Sequence, residues 1–419
     1  MTNRTRWIIS RFRKLACAAI LAIVVAPAAD GPVHATTLRA QGVKSPPGFD
    51  RFGARFLAAI VDRGNESDNM VFSPVSAGFT LSLAALGARG TTALALTQLL
   101  GESSFDRRTL EQRGTRTVEL LGGRTDVQLE LANAVWVDTA VRLSPSFAAS
   151  VAAWKATAST LPLSSSEAVR TINRWADRST HGRIKEVFRD ALDPSTRLAL
   201  TNAVYFKGKW SDAFDVSVTS PRNFTLASGR PIAVPAMERT GQLAYRRAKG
   251  FQVVRLPYRG GRTAMYVILP DSGAAVSPLV QQFAAAGWPT TLGAGSERDV
   301  HLVLPKFHVE QALDLRPSLE TMGGSIVFDC DRADFGDLAV ARSSGNRVPL
   351  CIDKATQKVY LDVNEEGTEA AAVTGMTLVD TAAPPPPVDF IVDRPFLFVL
   401  RDESSGNDLF VGIIRRPRT

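Results

Sequence analysis

Apolar residues recur at helical spacing through the first half of the chain and crowd into short continuous runs in the second. In FDRFGARFLAAIVDRG, Phe49, Phe52, Phe56, Leu57 and Ile60 share one stripe of a 3.6-residue period, which predicts an amphipathic helix. VFSPVSAGFTLSLAALGA predicts a second helix, with Ser73 as N-cap and Pro74 at the first helical position. TINRWADRSTHGRIKEVF predicts a third, closing near Gly182. The runs FQVVRLPYR, TAMYVILP, VHLVLPKFHVE, QKVYLDVNEE and DLFVGIIRRP are rich in Val, Ile, Leu and Tyr and predict strands. Helices first and strands later, without regular alternation, predict an α+β chain packed as one unit. The one tempting cut, GWPTTLGAGSERD near residue 290, reads as a surface loop.

With 419 residues, 45% hydrophobic and 21% charged, the chain has the composition of a folded soluble protein, and repeat, collagen-like and disordered classes are excluded. The first 35 residues stand apart. A basic start (Arg4, Arg6, Arg11, Arg13, Lys14) leads into an apolar run from Leu15 to Ala29 and then into small residues, the pattern of a secretory signal. Cleavage after Ala28 or Ala35 is expected, leaving 36–419 as the folded domain, secreted or periplasmic. An uncleaved anchor is the alternative, but the run is short of the ~20 residues of a bilayer span.

Losing 1–35 removes five positive charges and one negative, so the formal +8 falls to +4. Nucleic acid is therefore not an expected partner. The basic stretch FDRRTLEQRGTR, Phe105 to Arg116, reads as a solvated helix face, with a polyanion site as the alternative.

Cys330 and Cys351 remain after processing; an even count in an exported chain permits a disulfide, and equally two buried thiols. With only His181, His301 and His308 beyond the signal, no zinc site and no cofactor is expected. There is no G-x-S-x-G elbow, H-E-x-x-H or phosphate loop, so a hydrolase would need a triad assembled by the fold alone, and the chain is not expected to be an enzyme.

Seven stretches in order resemble the serpin family: VFSPVS (Val71 to Ser76), INRWADRSTHGRI (Ile172 to Ile184), LTNAVYFKGKW (Leu200 to Trp210), MYVILPD (Met265 to Asp271), LPKFHVE (Leu304 to Glu310), VNEEGTEAAAVT (Val363 to Thr374) and DRPFLFVL (Asp393 to Leu400). The match runs from about Pro46 to the C-terminus. It implies a single domain with three β-sheets, eight or nine helices and an exposed reactive loop over about 365–395. It also implies an exported bacterial member acting as a monomer: a serine-protease inhibitor that is cut in its loop, forms a covalent 1:1 acyl-enzyme and inserts the loop into its main sheet, trapping the protease. A carrier or chaperone is the alternative, since some relatives do not inhibit.

The stretch from Asn364 to Phe390, NEEGTEAAAVTGMTLVDTAAPPPPVDF, fits that expectation. Read with a period of two, Thr368, Ala370, Ala372, Thr374, Met376 and Leu378 share one uncharged face, while Glu369 falls on the other. Gly367 permits the turn, and no proline interrupts the run to Ala383. Pro384 to Pro387 then hold the chain extended. Taken alone, the same residues read as a short helix capped by Thr368 and a proline spacer. The resemblance makes Gly367, Thr368, Glu369, Ala370, Ala371 and Ala372 a hinge of inhibitory type. Counting fifteen residues from Gly367 makes Thr381–Ala382 the reactive bond. No Lys or Arg occurs from Val359 to Asp393, so small-pocket proteases of elastase or subtilisin type are the expected targets. Ser73, Ser76 and Asn202, with Gln357 where relatives often carry histidine, match the polar cluster beneath the centre of the main sheet (the shutter). Trp210, Lys306 and Glu365 match the point of loop entry (the breach).

Overall fold

The helix predicted after Ser73 forms as Pro74–Gly87 and is buried along its whole length. Ser73 caps it, its side chain accepting from the Ser76 N–H, and Pro74 fills the first turn. In this computed structural model the described residues are 49–63, 68–288, 292–293, 295–368 and 386–418. The first amphipathic stripe becomes Asp50–Val61, which buries Phe52, Phe56 and Leu57. The third becomes Ser166–Ser179. Among the described residues there are eight α-helices and three β-sheets, the α+β architecture that the pattern implied. No helix of these residues is long and apolar enough to cross a membrane. The expected signal, 1–35, lies outside them.

The main sheet runs in the order Phe307–Asp314, Lys354–Val363, Leu198–Lys209, Val127–Asp138, Thr157–Leu161, with a two-residue strand, Gly367–Thr368, beside Leu198–Lys209. A larger sheet runs Met70–Phe72, Asn407–Ile414, Phe396–Asp402, Thr263–Pro270, Phe251–Pro257, Pro231–Ala248, Ser296–Pro305, Val388–Ile391, with Ser220–Thr225 also on Pro231–Ala248. Val141–Leu143 and Ala339–Ala341 form a small third sheet. Lys306 sits alone between Ser296–Pro305 and Phe307–Asp314, where the chain crosses from the larger sheet into the main one.

Two strands at the middle of the main sheet come from the first half of the sequence, where helical spacing dominates. Leu198–Phe206 is buried on both faces and so shows no alternation to read. One of its faces, Leu198, Leu200, Val204 and Phe206, joins the large core around Pro74–Gly87. The other, Ala199 and Ala203, packs with Trp136, Ile172 and Ala176 beneath Ser166–Ser179.

The basic stretch departs from a fully solvated face. Its helix, Arg107–Leu121, is capped by Asp106, yet Arg113 is 5% exposed and pairs with Glu102. Gly114 on the same helix makes room for Trp154, whose ring would lie 2.0 Å from any added Cβ.

Candidate functional site

At the centre of the main sheet two neighbours run parallel: Lys354–Tyr360 pairs with Ala199–Tyr205, with Gln357 opposite Asn202. Their outer neighbours run antiparallel to them. A strand placed between the two, antiparallel to both, would therefore find matching ladders on each side. The pairing ends at Tyr360–Tyr205, and beyond it Gly367 and Thr368 pair antiparallel with Lys209 and Gly208. The chain reaches that place by reversing between Asn364 and Gly367, which exchange backbone hydrogen bonds of 2.9 and 3.2 Å.

Glycine is required at Gly367. Its φ is +143°, and a Cβ there would meet the Gly208 carbonyl oxygen at 2.1 Å and the Trp210 nitrogen at 2.8 Å. Gly208 is equally confined, because its Cβ would meet Tyr258 at 2.7 Å and Phe206 at 2.9 Å. The two glycines let the returning chain lie flat on the strand.

The three residues expected at the point of entry are brought together. Trp210 donates from Nε1 to the Asn364 carbonyl (3.0 Å) and from its backbone to Glu366 (3.0 Å), and its ring stacks on Tyr258 at 4.4 Å. Glu365 is 5% exposed and accepts from Lys306 Nζ at 2.9 Å and from the Thr219 hydroxyl at 2.9 Å. Burial alone would push the Glu365 carboxyl up; the Lys306 and Thr219 hydrogen bonds outweigh it and hold the group below its ordinary value.

Beneath the middle of the sheet, Gln357 grips the helix start at both of its amide atoms. Oε1 accepts from the Ser73 N–H at 2.7 Å, and Nε2 donates to the Ser73 carbonyl at 3.1 Å. Both groups are buried, so this pair of bonds satisfies polar atoms that would otherwise be stranded. Ser76 and Asn202 meet at a residue the sequence reading left out. Asn133 Oδ1 accepts from Ser76 Oγ (2.7 Å), Thr80 Oγ1 (3.0 Å) and Asn202 Nδ2 (2.9 Å), and Asn202 also bonds Thr80. The signals were there: Thr80 stands four residues after Ser76 on the same helix face, and Asn133 interrupts the apolar run LANAVWV.

At the foot of the same two strands, Asp353 Oδ2 accepts from the Arg197 (2.7 Å) and Leu198 (3.0 Å) N–H groups. Its own N–H donates to the Leu198 carbonyl at 3.0 Å. Two residues earlier, Cys351 is joined to Cys330 by a disulfide, with Cα atoms 4.6 Å apart. Of the expected hinge, only Gly367 and the backbone of Thr368 are described; Glu369, Ala370, Ala371, Ala372 and the bond Thr381–Ala382 lie outside the described residues. The chain is described again from Pro386 and Pro387, both exposed, which lead into Val388–Ile391.

Residues 48–417 match the family model described as Serpin (serine protease inhibitor). Iripin-2 of Ixodes ricinus is 33% identical over 375 residues, spanning 88% of this chain and 92% of its own length. Serpin-Z2B of Triticum aestivum is 33% identical over 401 residues, 91% of this chain and 99% of that protein. Among solved structures, the thermophilic serpin tengpin in its native state superposes with a TM-score of 0.79 at 25% identity, covering 88% of this chain and 94% of tengpin. Arabidopsis AtSerpin1 in its native stressed conformation gives 0.78 at 27% identity, over 88% and 97%.

Proposed function

The chain belongs to the serpin family, and on that premise we propose that it is a secreted suicide-substrate inhibitor of a serine protease of elastase or subtilisin type. One observation carries the reading. Gly367 and Thr368 already occupy the first two places of an antiparallel strand at the mouth of a parallel strand pair. Continued down Leu198–Lys209, that register sets Ala370 opposite Phe206, Ala372 opposite Val204 and Thr374 opposite Asn202. Directly paired residues share a face, and Phe206, Val204 and Asn202 point to the core side, where Asn202 meets Thr80. Small side chains thus enter the packed face, and the Thr374 hydroxyl arrives at the polar cluster. Glu369 falls opposite Lys207 on the other face, where opposite charges attract.

In this mechanism the protease attacks Thr381–Ala382 and becomes esterified to the new C-terminus. The freed segment then extends the strand begun at Gly367. Each ladder hydrogen bond it makes is worth about 1 kcal/mol net, and the sum draws the protease away before water completes the reaction. The inhibitor needs no catalytic group and no cofactor of its own, and it acts as a monomer. Export is part of the same reading: the signal pattern of 1–35 would deliver a bacterial chain to the periplasm or beyond, where the disulfide is maintained.

The test is a panel of serine proteases mixed with the mature protein and resolved by denaturing electrophoresis. A covalent 1:1 band with an elastase-like or subtilisin-like enzyme is expected. A chain that is only cut would be a carrier or chaperone, and a panel without any stable band would sink the proposal.

A further inference from the structure

Val388–Ile391 begins directly after the exposed Pro386 and Pro387 and is the last strand at one end of the larger sheet. Among the described strands it pairs with Ser296–Pro305 alone, over Val300–Val388 to Val303–Ile391. His301 stands opposite Asp389 in that ladder. Its Nδ1 lies 2.8 Å from Asp389 Oδ1, and its Nε2 lies 3.0 Å from Glu238 Oε1 on Pro231–Ala248, the strand on the other side. One imidazole therefore spans three strands between two carboxylates.

A carboxylate only accepts hydrogen bonds, and a neutral imidazole carries one N–H and one lone pair. Both contacts are hydrogen bonds only when the ring is imidazolium. Once neutral, the ring must turn a lone pair toward one of the two carboxylates. We propose that His301 is a proton-operated clasp that fastens the strand Val388–Ile391, and with it the C-terminal root of the segment 369–385, and slackens when the ring loses its proton.

The other groups on this side support the assignment. Arg222 on Ser220–Thr225 pairs with Glu238, so that carboxylate keeps a cation when the ring is neutral. Asp299, two residues before His301 on the same strand face, adds negative charge, while Thr240 and Gln242 opposite are neutral. The hydrogen bond that the ring donates to Asp389, then the one to Glu238, raises the His301 pKa against a smaller opposing effect of burial. The sign follows: with the attached-state pKa above the free value of 6.5, the attachment is complete below that value and is lost as pH rises through the attached-state one.

Hydrogen exchange on the intact protein at about pH 6 and about pH 9, each amide normalised to its intrinsic rate, reads the strand itself. Protection at Phe390 and Val392, whose N–H groups face Ser296–Pro305, is expected to fall about fivefold across that range, the scale of one partly exposed charge pair. It should stay level in His301→Gln, which cannot charge, and in Asp389→Asn, which can meet either form of the ring. Asp408, pushed up to about 7 by burial, titrates in the same window, but on the strand second from the far end of the sheet, and both variants retain it. A level profile in the parent, or an equal fall in both variants, overturns the clasp. Its consequence for protease trapping rests on the proposed function; the exchange measurement does not, so either idea can fail while the other stands.

Discussion

Thr368→Arg puts the hinge reading under the most direct strain. Thr368 pairs with Gly208, whose own side is closed by Tyr258, Phe206 and Val127, each within 3.0 Å of an added Cβ. A guanidinium carried in on that face meets the packed rings of Tyr258 and Phe206. Burying an unpaired charge costs several kcal/mol even after relaxation, so the variant is expected to hold residue 368 out of the place it takes in the parent. Insertion must then bear that cost, about 3 kcal/mol, which slows its first step about a hundredfold. The bond Thr381–Ala382 lies well down the sequence and should be recognised and acylated as before. Hydrolysis of the ester then outruns insertion, and the inhibitor becomes a substrate.

The assay is the ratio of cut product to denaturant-stable complex, with Glu369→Arg as the control. That control meets Lys207 across the proposed ladder, and like charges directly opposite cost about 0.2–1 kcal/mol, so trapping should fall by a few-fold at most. A second readout is thermal. Clean cutting of the parent should raise its unfolding midpoint substantially, and cutting Thr368→Arg should raise it less. If Thr368→Arg traps as well as the parent while Glu369→Arg does not, the two faces have been assigned the wrong way round.

Two further changes test the contacts that keep the parallel pair closed. Asn133→Ala strips the shared acceptor from Ser76, Thr80 and Asn202, and each buried donor left unmatched costs about 1–3 kcal/mol; an unchanged urea midpoint would show that Asn133 is no hub. Lys306→Met removes the cation that keeps Glu365 below its ordinary carboxylate value. That pair's stability is present above the unfolded carboxylate pKa, about 4.3, and is lost as pH falls through the lower folded value. The parent should therefore lose stability over this acid range and Lys306→Met should lose less; equal acid limbs in the two unfolding profiles refute the pairing.

The local rules recovered elements wherever one face is wet. The stripe Phe49, Phe52, Phe56, Leu57 marks a helix that lies on the core with its polar side in water, and Ser73-Pro74 marks a helix start by chemistry alone. They left unread one strand whose faces are both dry, although the equally dry Pro74–Gly87 and Asn407–Ile414 could be read. Leu198–Phe206 reads as an undifferentiated apolar run because the large core lies on one side and Ser166–Ser179 on the other. The site behaved likewise. Trp210, Lys306 and Glu365 were named from resemblance and meet as one cluster. Asn133 is as central as Asn202, yet a single Asn in a strand says nothing about the helix beneath until the register Asn133–Asn202 is known. The His301 clasp was invisible for the same reason, since His301, Glu238 and Asp389 become neighbours only through the pairing of three strands.

Besides the ring contact of Tyr205 with Tyr360, polar contacts stand at three levels around the parallel pair: Glu365 with Lys306 and Thr219 at the top, Gln357 with Ser73 in the middle, Asp353 with Arg197 and Leu198 at the foot. That choice has a physical reason. An apolar closure would have to expose its surface to water before an incoming strand could cover it, and the whole cost would fall on the transition state. A hydrogen bond can be exchanged for another one partner at a time, at a net difference of about 1 kcal/mol. A strand advancing from Gly367 can therefore trade for each closure as it reaches it, with its own N–H and C=O groups as replacements. On the proposed register Leu378 comes opposite Leu198, where Asp353 holds the foot of the sheet. The Asp353 contacts would then be the last to open, and the disulfide two residues away fixes the segment against which they must do so. Such an ordering lets the sheet stay shut against spontaneous insertion while leaving no single step too steep for a strand already under way.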